Sequence, residues 1–238
     1  MKTAIIVGAT SGIGRSLATL LADNDYHIGI TGRRTQLLEE IKSEDPDKYI
    51  TADFDTTHFN TIAANLDQLA QQLGKLDLLV ISSGTGNLNA ELRFDIEKQT
   101  IDTNVSGFTA VADWAFNYFQ QQGYGHLAAI SSIAGIRGNH QSPSYSATKA
   151  YQINYLESLR IKAVKTSLPI FITDIRPGFV NTDMAKGDGL FWVAPVEKAA
   201  GQILNAIRRK KRTAYITKRW GIIGRLLKLL PNWAIDKL

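Results

Sequence analysis

Tyr145 and Lys149 stand four residues apart, and Ser132 precedes the tyrosine by thirteen. The local text is Ser142-Pro-Ser-Tyr145-Ser-Ala-Thr-Lys149. Ser142 reads as a helix N-cap and Pro143 as the first helical residue. The i, i+4 spacing then sets phenol and ammonium on one face of that helix. A free tyrosine titrates near 10, and a lysine charge within a few ångströms favours the phenolate. The pair is therefore expected to give and take a proton near neutrality. A second stretch, Ala4-Ile-Ile-Val-Gly8-Ala-Thr-Ser-Gly12-Ile-Gly14, runs from an apolar strand into glycines and then into a helical pattern. Such a turn lets a pyrophosphate approach the backbone at a helix N-terminus. Gly8, Ser11, Gly12, Ile13 and Gly14 are the expected phosphate cradle.

The elements that must hold these residues alternate along the chain. Strands are predicted over 4–7, 27–31, 49–52, 77–82, 126–131, 170–175 and 214–217. Helices are predicted between them, notably over 57–73, 96–121, 143–164 and 196–209. This alternation predicts a three-layer α/β Rossmann-type fold, a doubly wound parallel sheet covered on both faces. Ligands of such sheets bind at the carboxyl ends of the strands, where every motif above lies. Residues 1–217 are expected to form one catalytic domain and 218–238 a helical extension.

Together these stretches resemble the short-chain dehydrogenase/reductase family, in its compact single-domain branch. The likeness spans roughly residues 3–215. It includes Asp102-Thr-Asn-Val-Ser-Gly107 and Arg176-Pro-Gly-Phe-Val-Asn-Thr182. Val7 stands where the family carries threonine, and Ile81-Ser-Ser-Gly84 where it carries Asn-Asn-Ala-Gly. The resemblance implies hydride transfer between a nicotinamide and a carbonyl or secondary alcohol carbon. It implies Asn104, Ser132, Tyr145 and Lys149 as the catalytic set. Tyr145 would protonate the carbonyl oxygen and Ser132 would hydrogen-bond it. Lys149 would lower the tyrosine pKa and hold the nicotinamide ribose, and Asn104 would position a water that relays protons to Lys149. Gly84 would border the cofactor. Pro177, Gly178, Val180 and Thr182 would hold the carboxamide side, and Asp53 the adenine, with Phe54 flanking that ring. Ser131 rivals Ser132, and the spacing to Tyr145 chooses Ser132.

The second strand ends Thr31-Gly32-Arg33-Arg34, without the acid that usually holds the ribose of NAD. A guanidinium matches a 2′-phosphate instead, so the expected cofactor is NADP (NADPH), with Arg33 ahead of Arg34. The substrate wall is expected from Phe179, Met184, the apolar segment 185–194 read as a mobile lid, and the loop 133–142.

Composition narrows the remaining classes. The chain has 238 residues, enough for one domain with a large core. It has no cysteine, which excludes disulfides and thiolate catalysis. Its four histidines are scattered, so no metal site is expected. The net charge of +5 divides into −4 over residues 1–207 and +9 over residues 208–238. Within the tail, Ile222, Ile223, Leu226, Leu227 and Leu230 form an apolar stripe. It is expected to be ordered and buried on the body or on a second subunit; docking on anionic lipid is the other reading. The expected partners are a small carbonyl or alcohol substrate and further copies, as a homodimer or homotetramer, with no nucleic acid. The expected location is cytoplasmic, with a peripheral membrane contact through 218–238 left open. The alternative function is a non-catalytic dinucleotide-binding module or a membrane-surface scaffold.

Overall fold

In a computed structural model, which describes residues 1–185 and 190–235, the apolar runs form seven parallel strands: β1 (Lys2–Val7), β2 (Tyr26–Gly32), β3 (Tyr49–Asp53), β4 (Leu78–Ile81), β5 (Gly125–Ile130), β6 (Ile170–Pro177) and β7 (Thr213–Ile216). Their order across the sheet is β3-β2-β1-β4-β5-β6-β7. Successive side chains of a strand point to opposite faces. Ala4 and Ile6 therefore meet α1 (Gly12–Ala22), α2 (Thr35–Glu44) and α7 (Val196–Arg208) on one side. Ile5 and Val7 meet α3 (Phe59–Leu73), α5 (Phe108–Gln122) and α6 (Pro143–Thr166) on the other. Two buried faces explain why the strands carry nearly unbroken apolar runs rather than alternating ones.

The helix expected over 96–121 is more complex. α4 (Phe94–Ile101) passes into a π-helical turn at Asp102–Gly107 before α5 begins. Neighbours fix the widened turn. A Cβ on Gly107 would lie 2.4 Å from the Thr56 carbonyl oxygen, so the backbone of this turn lies directly on the loop after β3. Such π turns recur at functional sites, and this one carries Asn104.

The tail departs from expectation. α8 (Trp220–Leu229) forms and is followed by the short α9 (Asn232–Ile235), but the apolar stripe is split. Ile223, Leu227 and Leu230 are half-buried, whereas Ile222, Leu226 and Leu229 face outward. The inner face is set by small residues. Gly221 lies on Tyr215, and Gly224 fits against Ile133 and Ile136. Glycines admit closer approach than a leucine ridge, so the helix rolls toward them. Arg137 fixes the far end, donating to the carbonyls of Leu227, Lys228 and Leu230. Among the described residues, no helix is long and apolar enough to cross a membrane.

Candidate active site

The glycine turn follows β1. Gly8 adopts φ of 90°, and a Cβ there would lie 2.6 Å from the Ser83 nitrogen. At Gly14 a Cβ would lie 2.0 Å from the Gly8 carbonyl oxygen. Both positions need glycine because strand, loop and helix come together here. Gly8 and Ala9 donate to the Thr31 carbonyl, tying the turn to the end of β2. Ser11 is the helix N-cap, with no side-chain cap bond of its own. A Cβ on Gly12 would lie 3.2 Å from the Thr182 methyl. A hollow of about 510 Å³ opens beside Gly12, Arg15, Thr182 and Asp183. This cradle, a helix N-terminal turn beside Thr182, fits a pyrophosphate.

The two arginines after β2 do different things. Arg34 lays its guanidinium on the turn, donating to Thr10 Oγ1 at 2.6 and 3.2 Å and to Ser11 Oγ at 2.7 Å. Arg33 is exposed and makes a 3.5 Å ion pair with Asp55. The Asp55 carboxyl is held below its usual range: burial opposes this, but two hydrogen bonds from Thr57 and the Arg33 charge prevail. Asp53 ends β3 exposed and accepts from Thr35. Phe54 is a correction. It is buried in the core beside α3 and α5, so its ring supports the loop from beneath and is not free to lie open in the cleft as expected.

After β4 the unusual Ser82-Ser83-Gly84 keeps the loop in place by other means. Ser82 donates its backbone N–H to Val7. Asn104, fully buried, then takes over the loop: its Oδ1 accepts from the Thr85 N–H at 2.9 Å, and its Nδ2 donates to the Thr85 carbonyl at 2.7 Å. The same amide donates to Thr148 on α6 at 3.1 Å. Gly84 lies between Asn104 Oδ1 and Lys149 Nζ, and Gly86 lies against the Tyr145 ring.

β5 ends at two serines that divide their tasks. Ser131 donates to Asp174 and to the Ile175 carbonyl beneath the sheet end. Ser132 caps the following 3₁₀ turn at Ile133–Ile136, accepting from Ala134, and is hydrogen-bonded to the Tyr145 phenol. The spacing argument therefore selected the serine that reaches Tyr145.

α6 begins at Pro143 with Ser142 in the capping position, as the sequence implies. The cap bond itself comes from elsewhere: Glu97 of α4 accepts from the Ser144 N–H at 3.0 Å. A carboxylate there complements the positive end of the helix. One turn on, Lys149 Nζ lies 5.7 Å from the centre of the Tyr145 ring. Its bonds go to the Ile130 carbonyl at 3.0 Å and to Gln152 Oε1 at 2.9 Å. Gln152, which motif reasoning passed over, also donates to the Asn104 carbonyl at 2.9 Å.

The charge states correct one expectation. Burial pushes the Tyr145 phenol above its ordinary value, and the Ser132 hydrogen bond only partly opposes this. Lys149 is itself pushed down to about 8 by burial, with the Asp174 charge opposing. Asp174 pairs with Arg176 at 2.6 Å, and burial raises its pKa despite that partner.

Beyond the catalytic cleft, Phe179, Phe191, Trp192 and Trp220 form an aromatic cluster with ring separations of 5.2 to 5.9 Å. Trp220 rests on Gly178, where a Cβ would lie 2.0 Å from the indole. Ala194 is tied to Phe179 and Asn181 through backbone bonds. Val180 is buried and Met184 exposed. Of the segment expected to act as a lid, residues 186–189 lie outside the described residues, Gly187 and Gly189 among them.

A family model described as short chain dehydrogenase matches residues 2–189. A protein of Myxococcus xanthus, called an uncharacterized oxidoreductase, is 29% identical over an alignment of 242 residues that covers 99% of this chain and 95% of that protein. An uncharacterized oxidoreductase of Staphylococcus saprophyticus is 30% identical over 190 residues, 77% of this chain and 80% of its own. The solved structure of ElxO with NADP bound shares the fold at a TM-score of 0.79 and 22% identity, with 90% of this chain and 96% of that one covered. The closed form of a serine dehydrogenase complexed with NADP+ does so at 0.81 and 22%, with 90% and 93% covered.

Proposed function

The chain belongs to the short-chain dehydrogenase family of oxidoreductases, and from that premise we propose that it uses NADP to interconvert a carbonyl and a secondary alcohol on an apolar substrate. The observation that carries this reading is one connected hydrogen-bonded group at the carboxyl ends of β4, β5 and β6: Asn104, Thr148, Lys149 and Gln152, with Ser132 on the Tyr145 phenol. A non-catalytic module would have no need of it. NADPH, when bound, supplies the hydride. Tyr145, kept protonated by burial, is ready to donate to the carbonyl oxygen. Ser132 hydrogen-bonds the same oxygen as charge develops there. Lys149, titrating at about 8, is mostly ammonium at neutral pH and offers its charge to the phenolate left behind.

NADP over NAD is supported by Arg33 and Arg34 at the end of β2 and by the absence of an acid there; the NADP-bound relatives are consistent with it. Asp53 is assigned to the adenine side, and Gly84, Pro177, Gly178, Val180 and Thr182 to the nicotinamide side. The aromatic cluster around Trp220 suits an apolar substrate. We assign residues 1–217 to the catalytic domain and 218–238 to an extension that walls the cleft. Ile161 and Val164, exposed on α6, support assembly into a homodimer or homotetramer. Loss of NADPH absorbance across a panel of carbonyl compounds tests the activity; no oxidation of NADPH or NADH by any of them, in either direction, would refute it.

A second reading adds to the first. Ile222, Leu226 and Leu229 are 53 to 81% exposed on α8, and Arg225 and Lys228 flank them. That arrangement favours peripheral contact with anionic lipid.

A further inference from the structure

Gln152 lies on α6 one turn beyond Lys149, and its side chain is buried among the catalytic residues. Its carbonyl oxygen accepts from Lys149 Nζ, and its amide nitrogen donates to the Asn104 main-chain carbonyl. The two bonds are both 2.9 Å. They fix the amide orientation, because only an oxygen can accept from the ammonium and only the NH₂ can donate to a carbonyl. The link crosses from α6 to the π turn, the widened part of the helix that carries Asn104. A side-chain amide thus links Lys149 to the main chain of Asn104.

We infer that Gln152 is a positioning residue for the proposed oxidoreductase reaction: by bridging Lys149 to the Asn104 carbonyl, it holds the lysine beside Tyr145 and stabilises its charged form. The inference rests on the function proposed above for its kinetic meaning. Its structural content stands on the hydrogen bonds alone. An ammonium has three N–H donors. Ile130 and Gln152 take two, and one remains for a bound partner. Without Gln152, only the Ile130 carbonyl of these two acceptors would hold Lys149, and the Asn104 carbonyl would lose a hydrogen-bond partner.

Charge makes the role measurable. The titratable and charged groups facing Lys149 are Tyr145 on its own helix and Asp174 on β6, the latter paired with Arg176. Gln152 is a neutral acceptor among them. Replacing it with methionine keeps the volume and removes the acceptor, which disfavours the ammonium. Glutamate at the same place adds a carboxylate, which favours it. The two variants should therefore move the Lys149 titration in opposite directions.

The experiment follows the ε-carbon signal of ¹³C-lysine-labelled protein through a pH titration, with Lys149 assigned by the loss of its signal in Lys149→Met. In the wild type the midpoint is expected near 8. Gln152→Met should lower it by about one to two pH units, the equivalent of one hydrogen bond to a charged group. Gln152→Glu should raise it by about one to three. The alkaline limb of the kcat profile for carbonyl reduction should follow in each variant. Thermal melting identifies which variants are folded, and either folded variant suffices for the test. An unmoved Lys149 midpoint in a folded variant overturns the inference, as does movement against the stated sign. If the midpoints move as stated and the wild type reduces no carbonyl, the proposed function fails while the bridge stands.

Discussion

Removal of the Arg33 side chain separates NADPH from NADH in a way that removal of its neighbour does not. The structure gives the two arginines different amounts of free donor capacity. Arg34 already has Nε and one terminal nitrogen on Thr10 and Ser11, so its work is to order the turn. Arg33 holds only an exposed, 3.5 Å contact with Asp55, an interaction worth about 0–1 kcal/mol. A charged hydrogen bond to a 2′-phosphate is worth about 1.5–3 kcal/mol. Exchanging the first for the second leaves about 2 kcal/mol, or roughly thirtyfold in affinity. Fluorescence titrations should therefore show NADPH binding about thirtyfold more weakly to Arg33→Ala, with NADH unchanged. Arg34→Ala should weaken both cofactors together, because the turn that each needs loses its tie to Thr10 and Ser11. Equal weakening of both cofactors by Arg33→Ala would refute the assignment. Selective loss of NADPH in Arg34→Ala alone would transfer the role to Arg34.

Three further outcomes follow from separate parts of the molecule. His126 is buried and neutral, pushed down to about 4 by burial and by the Lys210 charge; its folded pKa lies below the ordinary value of 6.5, so its contribution to stability is complete above pH 6.5 and lost as pH falls toward 4, by about 3 kcal/mol, and chemical denaturation across that range should show a slope that His126→Gln flattens. Trp220→Ala removes a large buried side chain and should destabilise the fold by about 3–5 kcal/mol, with a raised KM for bulky apolar substrates in kinetic assays at a temperature where the variant is folded. Wild-type protein should sediment with phosphatidylglycerol vesicles and not with phosphatidylcholine ones; added salt or Ile222→Glu should release it, and binding that ignores both would refute the lipid reading.

The sheet was legible because strands buried on both faces leave long apolar runs, and all seven predicted strands form. The close turn at Gly8 and Gly14 and the grouping of Ser132, Tyr145 and Lys149 were legible because one residue type at one spacing is demanded there. What escaped depends on contacts between distant segments. The π turn at Asn104 follows from the close approach of Gly107 to Thr56 and from the bonds to Thr85, which no local pattern encodes. Glu97 caps α6 from another helix, so Ser142 signalled the helix start without supplying the bond. Phe54 follows the exposed Asp53 in sequence but enters the core, because adjacent residues leaving a strand point opposite ways. The tail stripe was read from its leucines, whereas Gly221 and Gly224 chose the buried face. Gln152 gave one weak signal, a buried-type position on α6 occupied by a polar residue one turn past the lysine.

The central claim is that Tyr145 gives the proton in an NADPH-dependent reduction. It is tested most directly by comparing Tyr145→Phe with the wild type on a carbonyl substrate that the wild type reduces. Phenylalanine keeps the ring against Gly86 and removes the hydroxyl from Ser132. The account predicts unchanged NADPH affinity and a fall in kcat of about 10²–10⁴-fold. Turnover by the variant within a few-fold of the wild type would contradict it.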